Sequence, residues 1–245
     1  MKIALMGDIH GNLLALQAVV QHAESIGCER IFNLGDSVGY GAFPEETVRF
    51  LRKRGIAGVV GNYDRKVLKF PKKREKWRRT KAKLKYTAFE FAYKSLSERS
   101  RNYLAYLPAD IRIVCGGKRL LMVHGSPAAA DESLRDDTPL ERLIELSKTS
   151  EADIVACAHS HRPFKRKVAG VWFVNTGSVG MPDDGDPRAC YLVLDIRAGY
   201  FRIVQQRVPY DTDKAATGVR DAGMPEEFAQ MVVRGQSLEE LTRSR

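Results

Sequence analysis

The segment Lys2-Ile3-Ala4-Leu5-Met6-Gly7-Asp8-Ile9-His10-Gly11-Asn12 is an apolar run that stops at glycine and then presents an acid and an imidazole two residues apart. Lys2 to Met6 suits a strand, and Asn12 can cap a helix that continues through Ile26 and ends at Gly27. A second unit with the same grammar follows. Arg30 to Leu34 is strand-like, Glu45 to Arg54 behind Pro44 carries Val48 and Leu51 at helical steps, and Gly55 precedes a strand over Ala57 to Val60. This alternation predicts βαβ units and a parallel sheet with right-handed crossovers. Ligands of such a sheet lie beyond the carboxyl ends of its strands.

Further along, Leu84, Ala88 and Phe91 predict an amphipathic helix running from about Trp77 to near Leu96. Ser97 can cap another helix, carrying Tyr103, Leu104 and Leu107 before Pro108. Strands are predicted at Ile111 to Val114, Leu120 to Val123, Ile154 to Ala158, Val171 to Val174, Tyr191 to Ile196 and Phe201 to Gln205. Two sheets packed face to face under outer helices accommodate both halves. Past Tyr210, Asp213 to Ala222 and Pro225 to Arg234 read as two short helices stopped by Gly223 and Gly235.

With 245 residues and 44% apolar side chains, the chain can bury a sizeable core. No apolar run approaches the roughly 18 residues of a membrane span, and Gly7-Asp8 cuts the apolar start too early for a signal peptide. Cys28, Cys115, Cys157 and Cys190 stand far apart with no C-x-x-C pair, which points to reduced thiols, a cytoplasmic protein and no membrane partner. The net charge of +10 is local. Residues 65 to 85 hold twelve Lys or Arg against Glu75 alone, and the remainder has 28 basic and 29 acidic residues. Such a run is either a solvated face or a polyanion-binding surface, on which Phe70 and Trp77 can stack on bases while cations meet phosphates.

The polar residues that directly follow strand segments are Asp8, His10, Asp36, Asn62, His124, His159 and His161, and they include four of the five histidines. Several have glycine beside them, as needed where backbone approaches a crowded centre. Carboxylates, imidazoles and one amide make a mixed oxygen and nitrogen site suited to two divalent ions, manganese first and iron, zinc or nickel as alternatives, rather than to calcium. Two such ions about 3.5 to 4 Å apart lower the pKa of a shared water, and the resulting hydroxide hydrolyses a phosphate ester.

These residues, in this order, resemble the calcineurin-like metallophosphoesterase superfamily, whose signature runs D-x-H, G-D, G-N-H-[D/E], H and G-H-x-H. Gly35-Asp36-Ser37-Val38-Gly39-Tyr40-Gly41, His124-Gly125-Ser126-Pro127, Asn175-Thr176-Gly177-Ser178-Val179-Gly180 and Arg207-Val208-Pro209-Tyr210-Asp211 resemble its small bacterial and archaeal phosphodiesterase branch, so the likeness covers nearly the whole chain. It implies an α/β fold, a four-layer α/β/β/α sandwich of two mixed β-sheets flanked by helices, over residues 1–210. A basic helical insertion at about 65–96 and a C-terminal helical extension over 211–245, packed on the same domain, complete the expectation. The resemblance also implies one metal at Asp8, His10 and His161 and another at Asn62, His124 and His159, with Asp36 bridging. Asp36, Asn62, Tyr63, Asp64 and His124 would be the catalytic group, and Tyr63, Arg65, Lys66 and Trp77 would touch substrate.

One departure bears on mechanism. Where the family has histidine as general acid after the asparagine, this chain reads Gly61-Asn62-Tyr63-Asp64. A phenol of ordinary pKa about 10 releases its proton less readily than an imidazole of about 6.5, so Tyr63 either lines the pocket or hydrogen-bonds a phosphoryl oxygen, and good leaving groups should be favoured. The expected activity is hydrolysis of a phosphodiester carried by a phosphorylated small molecule or a nucleic acid. The alternatives are a nuclease or nucleic-acid-binding phosphoesterase that uses residues 65–85, and a metal-binding interaction scaffold with weak catalysis.

Overall fold

The structure, a computed structural model, describes residues 1–197 and 200–243. Its first half alternates strand and helix: β1 (Lys2–Met6), α1 (Leu13–Ser25), β2 (Arg30–Asn33), α2 (Pro44–Lys53) and β3 (Ala57–Gly58). Three helices follow, α3 (Asn62–Thr80), α4 (Lys83–Ser95) and α5 (Glu98–Ala105). The second half comprises β4 (Asp110–Cys115), β5 (Lys118–Val123), α6 (Leu140–Ser150), β6 (Ile154–Cys157), β7 (Phe164–Val168), β8 (Val171–Asn175), β9 (Ala189–Arg197) and β10 (Tyr200–Val208). Helices α7 (Thr212–Asp221), α8 (Glu226–Arg234) and α9 (Leu238–Arg243) close the described chain.

One sheet has the order β10-β9-β1-β2-β3 and the other β4-β5-β6-β8-β7. Strands β1, β2 and β3 run parallel, as do β5, β6 and β8, while β9, β10, β4 and β7 join antiparallel, so both sheets are mixed. Alternation along each strand builds the layers. Ile3 and Leu5 of β1, Leu120 and Met122 of β5, Ile154 and Ala156 of β6, and Leu192 and Leu194 of β9 all meet between the sheets. The residues between them point outward. Ala4, Met6, Tyr191 and Val193 pack on α1 through Leu16 and Val19, and Leu121, Val123 and Val155 pack on α6 through Leu143 and Leu146. The result is a four-layer α/β/β/α sandwich, because the central strands bury both faces and each sheet needs a helical cover.

Several elements differ from the sequence expectation for local reasons. Strand β3 stops at Gly58, and α3 begins at Asn62 rather than near Trp77 because Asp64 accepts from Gly61 N at 2.9 Å and closes its first turn. The chain breaks at Lys81 and Ala82, so the basic segment is two helices, α3 and α4. Strand β7 was unforeseen, since Phe164-Lys165-Arg166-Lys167-Val168 puts three cations in an edge strand with only its ends buried. Helices α6 and α9 were unforeseen as well. Helices α7 to α9 pack through Ala216, Val219, Phe228 and Val232 on Tyr40, Ala88 and Met181. Residues 244 and 245 of the expected extension lie outside the described residues.

Phe32, 2% exposed between the sheets, gives a test of this layering. Phe32→Ala should cost about 3–5 kcal/mol, read as a lower urea midpoint at unchanged slope. A loss below about 1 kcal/mol would contradict the inter-sheet placement.

Candidate metal centre

Past the strand ends, the loops keep pairing through their backbones. Asp8 N donates to Gly35 O at 3.0 Å, His10 N to Asp36 O at 2.9 Å and Gly11 N to Ser37 O at 2.9 Å, so the turns after β1 and β2 run as one ribbon. The second sheet is tied in across the gap. His159 N donates to Asp8 Oδ2 at 2.7 Å, Val179 N to Gly7 O at 3.0 Å and Gly180 N to Asp8 O at 3.0 Å. The lacing forces unusual backbone. Asp8, His10, Asp36, His159 and His161 all have φ between 51° and 65°, the left-handed region that side chains with a Cβ avoid, and only two other non-glycine residues among those described share it. Strain gathered at five ligand-type residues marks a functional cluster.

The seven expected ligands come together there. Asp8, His10 and His161 form one group whose donor atoms lie within 4.8 Å of one another, and Asp36, His124 and His159 form a second. The groups meet at Asp36, whose Oδ2 lies 3.8 Å from His10 Nε2 and 3.4 Å from His124 Nε2, while His10 and His161 approach through their Nε2 atoms at 3.1 Å. Outer partners set the imidazoles. His124 Nδ1 faces Leu34 O at 2.8 Å and His161 Nδ1 faces Met181 O at 2.7 Å. A carbonyl can only accept, so both rings donate from Nδ1 and turn Nε2 toward the cluster. His159 is reversed, with Nε2 on Asp131 O at 3.1 Å, which leaves Nδ1 as its donor. Asp8 Oδ1, Asn62 Oδ1 and His124 Nε2 are buried without a hydrogen-bond partner among the described residues. Buried polar atoms are nearly always paired, so these three fit donors to a cation.

A calcineurin-like phosphoesterase superfamily domain matches residues 1–199. The chain belongs to that superfamily. An uncharacterized protein of Methanocaldococcus jannaschii is 30% identical over 257 aligned positions that cover 96% of this chain and 98% of the relative. A metallophosphoesterase crystal structure from Sphaerobacter thermophilus is 27% identical with a TM-score of 0.78, covering 96% of this chain and 100% of that one. A hypothetical protein from Pyrococcus horikoshii has the same fold, with a TM-score of 0.86 at 21% identity over 96% of this chain and 98% of that one. No described helix is long and apolar enough to cross a membrane.

Electrostatics divide the donors of this phosphoesterase-family site. Burial holds His10 down at about 3, and burial with the neighbouring His124 holds His159 down at about 4, so both are neutral imidazoles with a lone pair to give. Burial acts to lower His124, yet the Asp36 carboxylate outweighs it and lifts the ring to about 9. Burial acts to raise Asp36, yet His124 and then His10 hold it well below the carboxylate range, and its Oδ1 accepts from Tyr63 N at 2.7 Å. Burial lifts Asp8 to about 6.

The departure from the family motif is visible in the geometry. The Tyr63 hydroxyl meets that of Tyr40, and the Tyr63 ring stands edge-on to His10 with centroids 5.1 Å apart. Burial, then Tyr40, pushes Tyr63 well above an ordinary phenol. Asp64 does not reach that hydroxyl. It is fully buried, accepts from Gly61 N at 2.9 Å and Val38 N at 3.2 Å, and is lifted to about 7 by burial and by Asp36. Asp64 therefore positions the α3 entry. Gly61 is required beside it, since a Cβ there would overlap the Asp36 carboxylate and backbone.

A cavity of about 540 Å³ opens over the centre, with His10, Asp36, Asn62, Tyr63, His159 and His161 in its walls. Of the other residues expected at substrate, Lys66 lines it, whereas Arg65 is exposed and Trp77 packs on Phe89 at 5.4 Å, and neither is among its lining residues. Phe70 is buried between Tyr86 and Tyr93. The expectation that Phe70 stacks on bases is therefore corrected, because its ring is spent on the packing of α3 against α4, while Trp77 is only partly buried. Sequence reasoning met Asn175 and Ser178 only as part of the family likeness and gave them no role. Asn175 Nδ2 donates to Ala158 O at 2.6 Å and Ser160 Oγ at 2.9 Å, bracing the turn that carries His159 and His161, and Ser178 Oγ donates to Asp8 O at 2.7 Å. Their signal was placement in a glycine-punctuated loop after a strand. Asn175→Ala should weaken manganese binding about 10- to 100-fold in calorimetry while the protein stays folded, as for other outer-sphere changes. Unchanged affinity would remove that bracing role.

Proposed function

We propose that this chain hydrolyses a phosphate ester, by preference a phosphodiester, at two divalent ions. Asp8, His10 and His161 would hold one ion and Asn62, His124 and His159 the other, with Asp36 shared. The observation that carries this reading is the meeting of two three-residue donor groups at Asp36, together with three buried donor atoms that lack a hydrogen-bond partner among the described residues. Manganese leads among the ions, since the donor set is oxygen and imidazole nitrogen without thiolate. When bound, two such ions supply positive charge to phosphoryl oxygens and lower the pKa of water to near neutrality. The protein's own residues do the rest. Asp36 keeps its negative charge between the two groups, His10 and His159 offer neutral nitrogens, and the cavity has room for organic groups on either side of a phosphorus atom. A cytoplasmic enzyme whose domain spans residues 1–210, with 211–245 as an extension of the same body, agrees with this reading.

Tyr63 sets the substrate preference. Its hydroxyl keeps the proton at any ordinary pH, so it can donate a hydrogen bond to a phosphoryl oxygen but does not protonate a departing alkoxide in step with bond breaking. Esters whose leaving groups depart unaided, such as aryl phosphodiesters, follow as preferred substrates. Manganese-reconstituted protein should turn over a bis-aryl phosphodiester about 100-fold or more faster than a matched alkyl diester. Asp36→Asn should abolish both activities, and Tyr63→His should narrow the gap by raising the alkyl rate. Equal aryl and alkyl rates in the natural chain would overturn the role given to Tyr63, and activity surviving Asp36→Asn would overturn the site.

A further inference from the structure

The wall of the cavity above the metal centre is unevenly charged. Its lining has six cations, Lys66, Lys81, Lys85, Arg135, Arg162 and Arg243, against three acids besides Asp36. Those acids are engaged: Glu239 pairs with Lys85 at 3.6 Å, while Glu240 and Asp183 both bind Arg162 at 3.1 Å. Lys66 and Lys81 make no ion pair among the described residues. Both ammonium groups are held against aromatic rings, Lys66 5.0 Å from the Tyr63 centroid and Lys81 5.3 Å from Trp77 and 6.0 Å from Phe89. Tyr63 and Phe89 themselves pack 5.0 Å apart, so one aromatic pair anchors both lysines. Burial disfavours the Lys66 charge, Asp36 and Asp131 favour it, and Lys81 and Lys85 repel it. Half-buried like charges crowded on a cavity wall are unfavourable until an anion joins them.

We infer that Lys66 and Lys81, backed by Lys85, form a second anion subsite, and that the substrate is a nucleotide-sized phosphate ester whose organic part carries another phosphate. This rests on the phosphoesterase reading, in which the scissile group sits at the donors on the cavity floor. A phosphate on the lysines can join three charge-assisted hydrogen-bond donors without displacing any existing partner of Lys66 or Lys81. The volume suits a small ligand. A nucleic-acid strand is the less favoured occupant, since Phe70 is buried and the partly buried Trp77 ring stands against Phe89 and Lys81, outside the cavity lining.

The test uses the manganese-loaded full chain and two chromogenic esters, the p-nitrophenyl ester of thymidine 5′-phosphate and the same compound bearing a 3′-phosphate. Calorimetry of thymidine 5′-phosphate and thymidine 3′,5′-bisphosphate runs beside it. The bisphosphate should bind about tenfold or more tighter, with kcat/KM following. Lys66→Gln/Lys81→Gln, which keeps the packed stems, should bring both ratios to within about twofold of one. Lys73→Gln/Lys76→Gln removes the same charge from the exposed part of α3 and should leave both ratios intact. A ratio near one in the natural chain, or equal loss in the control pair, overturns the subsite. If neither ester is cleaved while the binding ratio and its dependence on Lys66 and Lys81 persist, the subsite stands and the phosphoesterase reading fails. If both esters are cleaved equally, the reverse holds. Dodecathymidylate binding more than about tenfold tighter than the bisphosphate, and weakened by Lys73→Gln/Lys76→Gln, would overturn the small-ligand assignment in favour of a strand.

Discussion

Two carboxylates, four imidazoles and an amide are gathered beneath one cavity, five of them on strained backbone and three with a buried donor atom that has no hydrogen-bond partner among the described residues. Desolvation makes such a gathering costly unless cations join it. The surrounding structure meets that demand by force of connection. Backbone pairing continues past the ends of β1 and β2, the loop after β8 bonds back to Gly7 and Asp8, and Leu34 and Met181 carbonyls fix the rings of His124 and His161. The bonds from the loop after β8 to Gly7 and Asp8, and from His124 to Leu34, link one sheet to the other. The four-layer body therefore serves as a clamp, its rigidity spent on holding donors that would otherwise separate.

Around that clamp the chain has reworked its substrate side. Tyr63 occupies the position after Asn62 and directs its hydroxyl to Tyr40, while Asp64 turns inward to cap α3. The same helix then carries the basic segment. The excess charge noted in the sequence is not uniform in role: Lys66, Lys81 and Lys85 return to the cavity, whereas Lys72, Lys73, Arg74 and Lys76 stay in solvent. The break at Lys81 and Ala82 makes this possible, since it folds α4 back along α3 and brings Lys81 and Lys85 over the centre.

Much of this was legible in the sequence, for identifiable reasons. The unbroken apolar run Ile3-Ala4-Leu5-Met6 and its counterparts reveal strands buried on both faces, and the glycine-flanked acids and histidines after them reveal the cluster, because strand ends are where a parallel sheet gathers ligands. What stayed hidden depends on tertiary packing. Phe70 looks like a free aromatic in a basic run, and only the α3–α4 contact shows it consumed. Asn175 acts through backbone carbonyls that no side-chain pattern announces. Strand β7 conceals itself behind three consecutive cations, and Leu140-Glu141-Arg142-Leu143 begins a helix whose apolar stripe is short.

The central claim is a pair of cations sharing one carboxylate, and anomalous scattering from crystals of the manganese-loaded protein measures it directly. The account predicts two peaks about 3.5 to 4 Å apart, one beside Asp8, His10 and His161, the other beside Asn62, His124 and His159, with Asp36 touching both. A single peak, or peaks that leave Asp36 unbound, would contradict it.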